Sequence, residues 1–237
     1  MSRHVILGVA PVAALLSFSV AHAADLSIPY NPPAAVAAFD WTGPYAGASV
    51  GIDAGTDHDD FAPRPPAADT FGLTGFNAGV YGGWNWQQGD LVYGVEGDLN
   101  WTNLSGSHEF SAFDGDVTGT LKLTTDWQGS LVGRAGYVMD GFLFYGLAGF
   151  TAAHATLSAT GLSLEEPFNV SDSKTHLGGT IGVGAEYALT ESLIARGELR
   201  YTSFANQTYD MGADLDASST NARWDQLTAS VGLGMKF

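Results

Sequence analysis

Counting back by twos from Phe237 gives Met235, Leu233, Val231, Ala229 and Leu227, all apolar. The alternate positions, Lys236, Gly234, Gly232, Ser230, Thr228 and Gln226, are small or polar. A period of two is the period of a pleated strand, so one face of this segment meets an apolar medium and the other meets polar groups or water. A strand of a soluble sandwich alternates in the same way. The aromatic terminus, and the return of the pattern upstream with aromatic ends, favour the closing strand, 222–237, of a transmembrane β-barrel.

Seven earlier segments read as strands. The first, 44–54, sets Ala46, Ala48, Val50 and Ile52 against Tyr45, Gly47, Ser49, Gly51 and Asp53. The second, 73–86, sets Phe76, Ala78, Val80, Trp84 and Trp86 against Asn77, Tyr81 and Asn85. The third, 91–101, sets Tyr93, Val95, Leu99 and Trp101 against Glu96, Asp98 and Asn100. In the fourth, 120–138, Leu121, Leu123, Trp127, Leu131, Ala135 and Tyr137 are expected to face outward, opposite Asp126, Gln128, Ser130 and Arg134. The fifth, 142–155, is apolar on both parities and gives no assignment of faces. The sixth, 175–189, sets Leu177, Ile181, Val183, Ala185 and Tyr187 against His176, Thr180 and Glu186, and the seventh, 193–204, sets Ala195, Leu199 and Tyr201 against Arg196, Glu198, Arg200 and Thr202.

The connections alternate in length. Those at 87–90, 139–141 and 190–192 are tight, and Asp140-Gly141 is a favoured hairpin pair. Those at 55–72, 104–119, 156–174 and 205–221 are long. The pattern predicts an all-β fold: an eight-stranded antiparallel transmembrane β-barrel with short periplasmic turns and four long extracellular loops. Closing the sheet pairs every backbone group that hydrocarbon would leave unsatisfied. Trp84, Trp86, Tyr93, Tyr137, Phe142, Phe144, Tyr187 and Phe237 fall near the short-turn end, as one interfacial girdle would. Trp101, Trp127, Tyr201 and Phe204 fall toward the other end, as a second girdle would.

The first residues change the picture of where this barrel goes. Arg3 and His4 precede an apolar run, and Ala21-His22-Ala23 has the small-x-small form of a cleavage site, so 1–23 reads as a secretory signal peptide. Residues 24–40 carry Pro29, Pro32 and Pro33 and read as an extended periplasmic leader before a barrel at 41–237. Loss of Arg3 with the signal peptide would make the formal charge of -16 one unit more negative. Nine Lys and Arg are too few for a phosphate-binding surface, which excludes nucleic acid as a partner. With no Cys the chain has no disulfide and no thiolate metal site.

Candidate chemistry lies mainly in the bore. The inward parity collects Glu96, Asp98, Asp126, Glu186 and Glu198 with Arg134, Arg196 and Arg200, and Lys236 near the base. Pairing of the sixth and seventh strands about Glu191 sets Glu186 against Arg196. An eight-stranded barrel is just wide enough for its own side chains, so these charges form either a filled polar core or a gated narrow channel. Gly47-Ala48-Ser49-Val50-Gly51 has the G-x-S-x-G spacing of a nucleophile elbow, but that motif needs a strand-to-helix turn and here the flanks continue as strand. His154-Ala155-Thr156 suggests the His and hydroxyl pair of a lipid A deacylase, with Thr where Ser would stand. Asp57-His58-Asp59-Asp60 offers hard oxygens to a divalent cation or is a solvated loop tip. We expect no catalytic residue, cofactor or resident metal. Acids at Asp57, Asp59, Asp60, Asp69, Glu109, Asp114, Asp116, Glu165, Glu166, Asp172, Asp210, Asp214 and Asp216 outnumber Arg64 and Lys174 in the long connections. That exterior would favour cations and basic partners and repel the phosphates of lipopolysaccharide unless divalent ions bridge them.

The opening Trp41-Thr42-Gly43-Pro44-Tyr45-Ala46-Gly47 and the ending Ser230-x-Gly232-x-x-Met235-x-Phe237 resemble the small outer-membrane β-barrel proteins of alphaproteobacteria, the porin-like or outer-membrane immunogenic group. That group is related to the OmpA transmembrane domain and OmpX. The resemblance covers 24–237 and implies a cell outer-membrane location among outer-membrane lipids and lipopolysaccharide. It also implies insertion by the barrel assembly machinery, with Gly232, Met235 and Phe237 matching the signal positions it reads. Surface loops, often antigenic, with a host or small-molecule ligand, are implied as well. A periplasmic wall-binding domain is not expected. The function expected is that of a non-enzymatic envelope protein presenting acidic loops, with a narrow low-conductance porin as the alternative and a lipid A modifying enzyme after it.

Overall fold

A computed structural model describes residues 39–59, 72–112, 117–163, 166–209 and 220–237. The expected signal peptide, most of the expected leader, and the acids at Asp60, Asp69, Asp114, Asp116, Glu165, Asp210, Asp214 and Asp216 lie outside the described residues, as does Arg64.

The strands are β1 (Gly43–Asp59), β2 (Gly72–Gln88), β3 (Leu91–Thr102), β4 (Ser105–Ala112), β5 (Val117–Met139), β6 (Phe142–Ser163), β7 (Glu166–Ala188), β8 (Leu193–Phe204), β9 (Gln207–Tyr209) and β10 (Thr220–Lys236). β3 and β4 run one after the other along β5, and β8 and β9 along β10, so each pair is a single interrupted stave. β1 pairs antiparallel with both β2 and β10, which closes the sheet into an eight-stave barrel. Asp140 and Gly141 have φ of 50° and 84°, and Met139 pairs Phe142 across them, so this tight turn uses two left-handed residues that suit the twist of its strands.

Outward residues are apolar over about eleven positions per stave, the length a tilted strand needs to cross hydrocarbon. Phe142 to Ala152 on β6, Tyr187 to Leu177 on β7 and Phe237 to Leu227 on β10 each supply such a run. The girdle at the short-turn end is exposed and self-packed: Trp86 stacks on Tyr93 at 5.8 Å and Phe142 meets Tyr187 at 4.5 Å.

Three expectations change. Leu121 and Leu123 are buried in the bore instead of facing out, while Asp126 is exposed instead of inward. The cause is a bulge: Thr125 pairs Ala155 and Trp127 pairs His154, leaving Asp126 as an extra residue that inverts the parity above it. Phe204, expected in the outer girdle, is 1% exposed and lies against Trp224 inside the barrel. Third, much of 104–119 and 156–174, read as loop, continues as sheet, with β6 and β7 paired as far as Ser163 and Glu166. β6 is now assigned as well. Leu143, Tyr145, Leu147, Thr151, Ala153, Ala155, Leu157 and Ala159 face inward. Both of its faces are apolar because its inner side serves two apolar layers described below.

Candidate functional site

The bore is filled in layers. At the periplasmic end Trp41, 1% exposed, sits among Val92, Val132, Leu143, Leu147 and Ile194, with Phe39 edge-on to it at 4.7 Å. Gln87 anchors this stopper by accepting from the Trp41 backbone N–H at 2.7 Å, while its own N–H donates to the Thr42 hydroxyl. Lys236 donates to the Asp40 carbonyl and lies 3.9 Å from its carboxylate. The Asp40 carboxyl is held below its ordinary range, chiefly by the Thr42 backbone N–H.

Above the stopper lies the charge cluster. β7 and β8 pair so that Glu186 stands opposite Arg196. Arg134 donates to Glu96 at 3.0 Å and, through both terminal nitrogens, to Glu186 at 2.9 and 2.7 Å. Arg196 donates to Glu186 from Nε at 2.8 Å and to Glu96 from Nη1 at 2.9 Å. Arg200 reaches Asp98 at 2.6 Å, Glu96 at 3.2 Å, and Glu198. Glu96 also accepts from the Tyr45 hydroxyl at 2.7 Å, and Glu198 accepts from Tyr145 at 2.6 Å. Three guanidiniums against four carboxylates leave one surplus negative charge in this cluster. Charges taken out of water are costly unless their partners and remaining hydrogen-bonding sites are satisfied. Planar guanidinium forks meet that demand better than point ammoniums. Two of the arginines also lie over phenol rings, Arg196 over Tyr81 at 3.8 Å and Arg134 over Tyr145 at 4.1 Å.

Those rings lie across bare backbone. A Cβ at Gly47 would come 2.4 Å from Tyr81, and one at Gly184 would come 2.4 Å from Tyr145. Beside the cluster an amide and hydroxyl rung crosses the bore: Gln128 donates to Gln226 at 2.8 Å, and Gln226, Thr228 and Thr102 all donate to Asp53. A polar cavity of about 30 Å³ lies among Ser49, Asn77, Asn100 and Arg200, room for about one water. The extracellular end is apolar again, with Leu73, Leu104, Leu121, Leu123, Leu157, Phe204 and Trp224 in one cluster and His176 4.5 Å from Trp224.

The structure therefore brings together Glu96, Asp98, Arg134, Glu186, Arg196, Glu198 and Arg200 and leaves Asp126 out. Gly232 lines the inner wall opposite Ser49, while Met235 and Phe237 face outward. Ser49 is mid-strand, paired with Gly79 and Gly232, which is not the geometry of a strand-to-helix elbow. His154 stacks on Trp127 at 6.0 Å, and the Thr156 hydroxyl is hydrogen-bonded to Ser173 at 2.9 Å. The side chains of Asp57 and Asp59 lie outside the described residues. Sequence places Tyr45 and Tyr81 on the inner parity and Trp41 in the opening motif, but it assigns none of them, nor Tyr145, to the site. Phenols at inward positions facing Gly across a strand pair would have been the signal for Tyr81 and Tyr145.

A family model described as the outer membrane protein beta-barrel domain matches residues 10–237. The chain belongs to this family. It is 35% identical over 163 residues to the 22 kDa outer membrane protein of Rhizobium leguminosarum bv. viciae, covering 69% of this chain and 67% of that one. It is 30% identical over 233 residues to the 25 kDa outer-membrane immunogenic protein of Brucella abortus biovar 1, covering 95% of each. Among solved structures, the outer membrane protein OprG from Pseudomonas aeruginosa aligns with a TM-score of 0.52 at 13% identity, over 84% of this chain and 99% of that chain, a likeness of fold. The protein is thus an outer-membrane β-barrel, placed among the lipids and lipopolysaccharide of that membrane.

Proposed function

We propose that the protein is a non-enzymatic structural component of the outer membrane, a closed barrel that presents acidic loops to the outside. The observation that carries this reading is the filling of the bore among the described residues: a Trp41 stopper, a saturated ion cluster with a polar cavity of about 30 Å³ beside Arg200, and an apolar cap. The immunogenic outer-membrane proteins of Brucella among its relatives support the loops as surface antigens or contact sites for a host or small-molecule ligand. In this reading the chain is exported by cleavage after residue 23 or 24, and the barrel assembly machinery reads Gly232, Met235 and Phe237.

Planar-bilayer recording of the purified protein tests it. The expected result is no reproducible conductance step. Cation-selective steps that vanish in Arg196→Ala or Glu198→Ala would instead support the narrow porin, the reading that the small polar cavity beside Arg200 favours.

A further inference from the structure

Above the bulge, the outer wall changes character on four neighbouring staves. Cα pairing sets Ser105, Thr124, Thr156 and Ser173 in one rung across β4, β5, β6 and β7. The next rung outward is Ser107, Lys122, Ser158 and Ser171. The third is Glu109, Thr120, Thr160 and Asn169. None of these positions is buried, and all share the outer face, because the inward parity here holds Leu121, Leu123, Ala155 and Leu157 of the apolar cap. Pleated-sheet spacing makes this a lattice of hydroxyls about 4.8 Å apart across the strands and about 6.8 Å apart along them.

We propose that this face is a docking surface for the core saccharide of the surrounding lipopolysaccharide. β5, β6 and β7 run on from the lipid-facing wall, past Trp127, into the lattice, and β4 continues the stave of β3 beside them, so the face stands at the height where acyl chains give way to head-group sugars. Its chemistry selects among occupants. A hydrocarbon surface would want apolar side chains, an anionic protein would want several cations, and a basic one would want carboxylates. Short hydroxyls, each both donor and acceptor, are the complement of another polyhydroxyl surface. The lattice carries one acid and one base, Glu109 and Lys122, in contrast to the acid-rich connections, so it does not repel a sugar layer that bears anionic groups. At its base the exposed Trp127 ring, backed by His154, offers a flat apolar platform for the C–H face of a pyranose. The inference does not depend on whether the bore conducts.

The test uses the full chain in nanodiscs and measures retention of fluorescent lipopolysaccharide that keeps its core sugars against lipid A that lacks them. We expect at least tenfold better retention of the core-bearing form. The double variant Ser158→Glu/Ser171→Glu should bring that ratio close to one and Lys122→Glu should lower it severalfold, with heat-modifiable gel mobility unchanged. Should the double glutamate variant fail to fold, Ser158→Ala/Ser171→Ala keeps the inner packing intact and should still lower the ratio at least threefold. Equal retention of both lipids by the wild type would overturn the proposal by showing that only the lipid moiety is held. A ratio unaffected by the variants would overturn it too, as would cross-linking of two copies through a cysteine placed at Ser158.

Discussion

The two halves of this barrel are built inside out with respect to each other. Between the girdles, Phe150, Ile181, Val231 and their neighbours face out, and the bore holds three guanidiniums and four carboxylates. Above the girdle, hydroxyls face out and Leu121, Leu123, Leu157, Phe204 and Trp224 fill the interior. One continuous set of strands serves both because each half meets a different solvent. Hydrocarbon rewards an apolar exterior and leaves polar groups only the bore in which to satisfy one another. Water permits the ordinary arrangement of a half-solvated antiparallel sheet, apolar within and polar without. The comparison separates what holds each half: hydrogen-bonded charges seated on the Trp41 stopper below, and apolar packing above.

The most severe way to break the contrast is to insert one alanine between Leu123 and Thr124. With the Asp126 bulge kept, the strand beyond the insertion is displaced by one, so Leu121 and Leu123 turn outward and Lys122 turns into the apolar cap. Each leucine withdrawn from a packed core costs about 2–5 kcal/mol. We expect the segment between Ser105 and Thr175 to become protease-sensitive, while the girdled part keeps the gel mobility of a folded barrel.

Next in size is Glu96→Ala, which strips Arg134, Arg196 and Arg200 of a shared acceptor. Leaving a buried partner uncompensated costs about 3–5 kcal/mol, to be read as a lower urea midpoint of the refolded barrel. The counterpart in the upper half, Leu157→Ala, should cost about 2–5 kcal/mol. Its mark should be proteolysis of the upper half with the bore cluster undisturbed. If both variants lower the same single transition equally, the halves are one cooperative unit and the division drawn above is wrong.

The smallest effect is at the periplasmic rim. Lys236→Ala should cost less than about 1 kcal/mol, since the Asp40 pair is half open to water. Because the Asp40 carboxyl is held below its ordinary range, what it contributes is fully present above about pH 3.9 and is lost as pH falls through its lower folded value. The Lys236→Ala difference should therefore be visible at pH 7 and fade only in part below about pH 3.9, because Lys236 also donates to the Asp40 carbonyl and the carboxyl is lowered chiefly by the Thr42 N–H.

The membrane half was the more legible in sequence, because hydrocarbon tolerates almost no exception to the outward parity. β1, β2, β3, β7, β8 and β10 could be faced by counting twos. The upper half was hidden by its own composition: Ser, Thr, Gly, Asn and Asp are turn formers, so 104–119 and 156–174 read as loop. The alternation was nevertheless present, as in Leu121, Leu123 against Thr120, Lys122, Thr124. A bulge of one residue leaves no compositional trace, which is why Asp126 was placed with the bore and Leu121 with the lipid. The ion cluster was legible as a parity of charged residues, but its phenol floor was not, since tyrosine fits a strand anywhere.

The bare backbone under Tyr81 and Tyr145 limits what this interior could become. With Gly47 and Gly184 beneath them the phenols lie flat against the wall, leaving radial room for a guanidinium on top of each. A single methyl at either position would lift its ring toward the axis and push the arginine off its acceptors. A ring of the same eight staves that carried alanine there would need a different filling altogether, so two hydrogen atoms, in effect, decide which charges the barrel can hold.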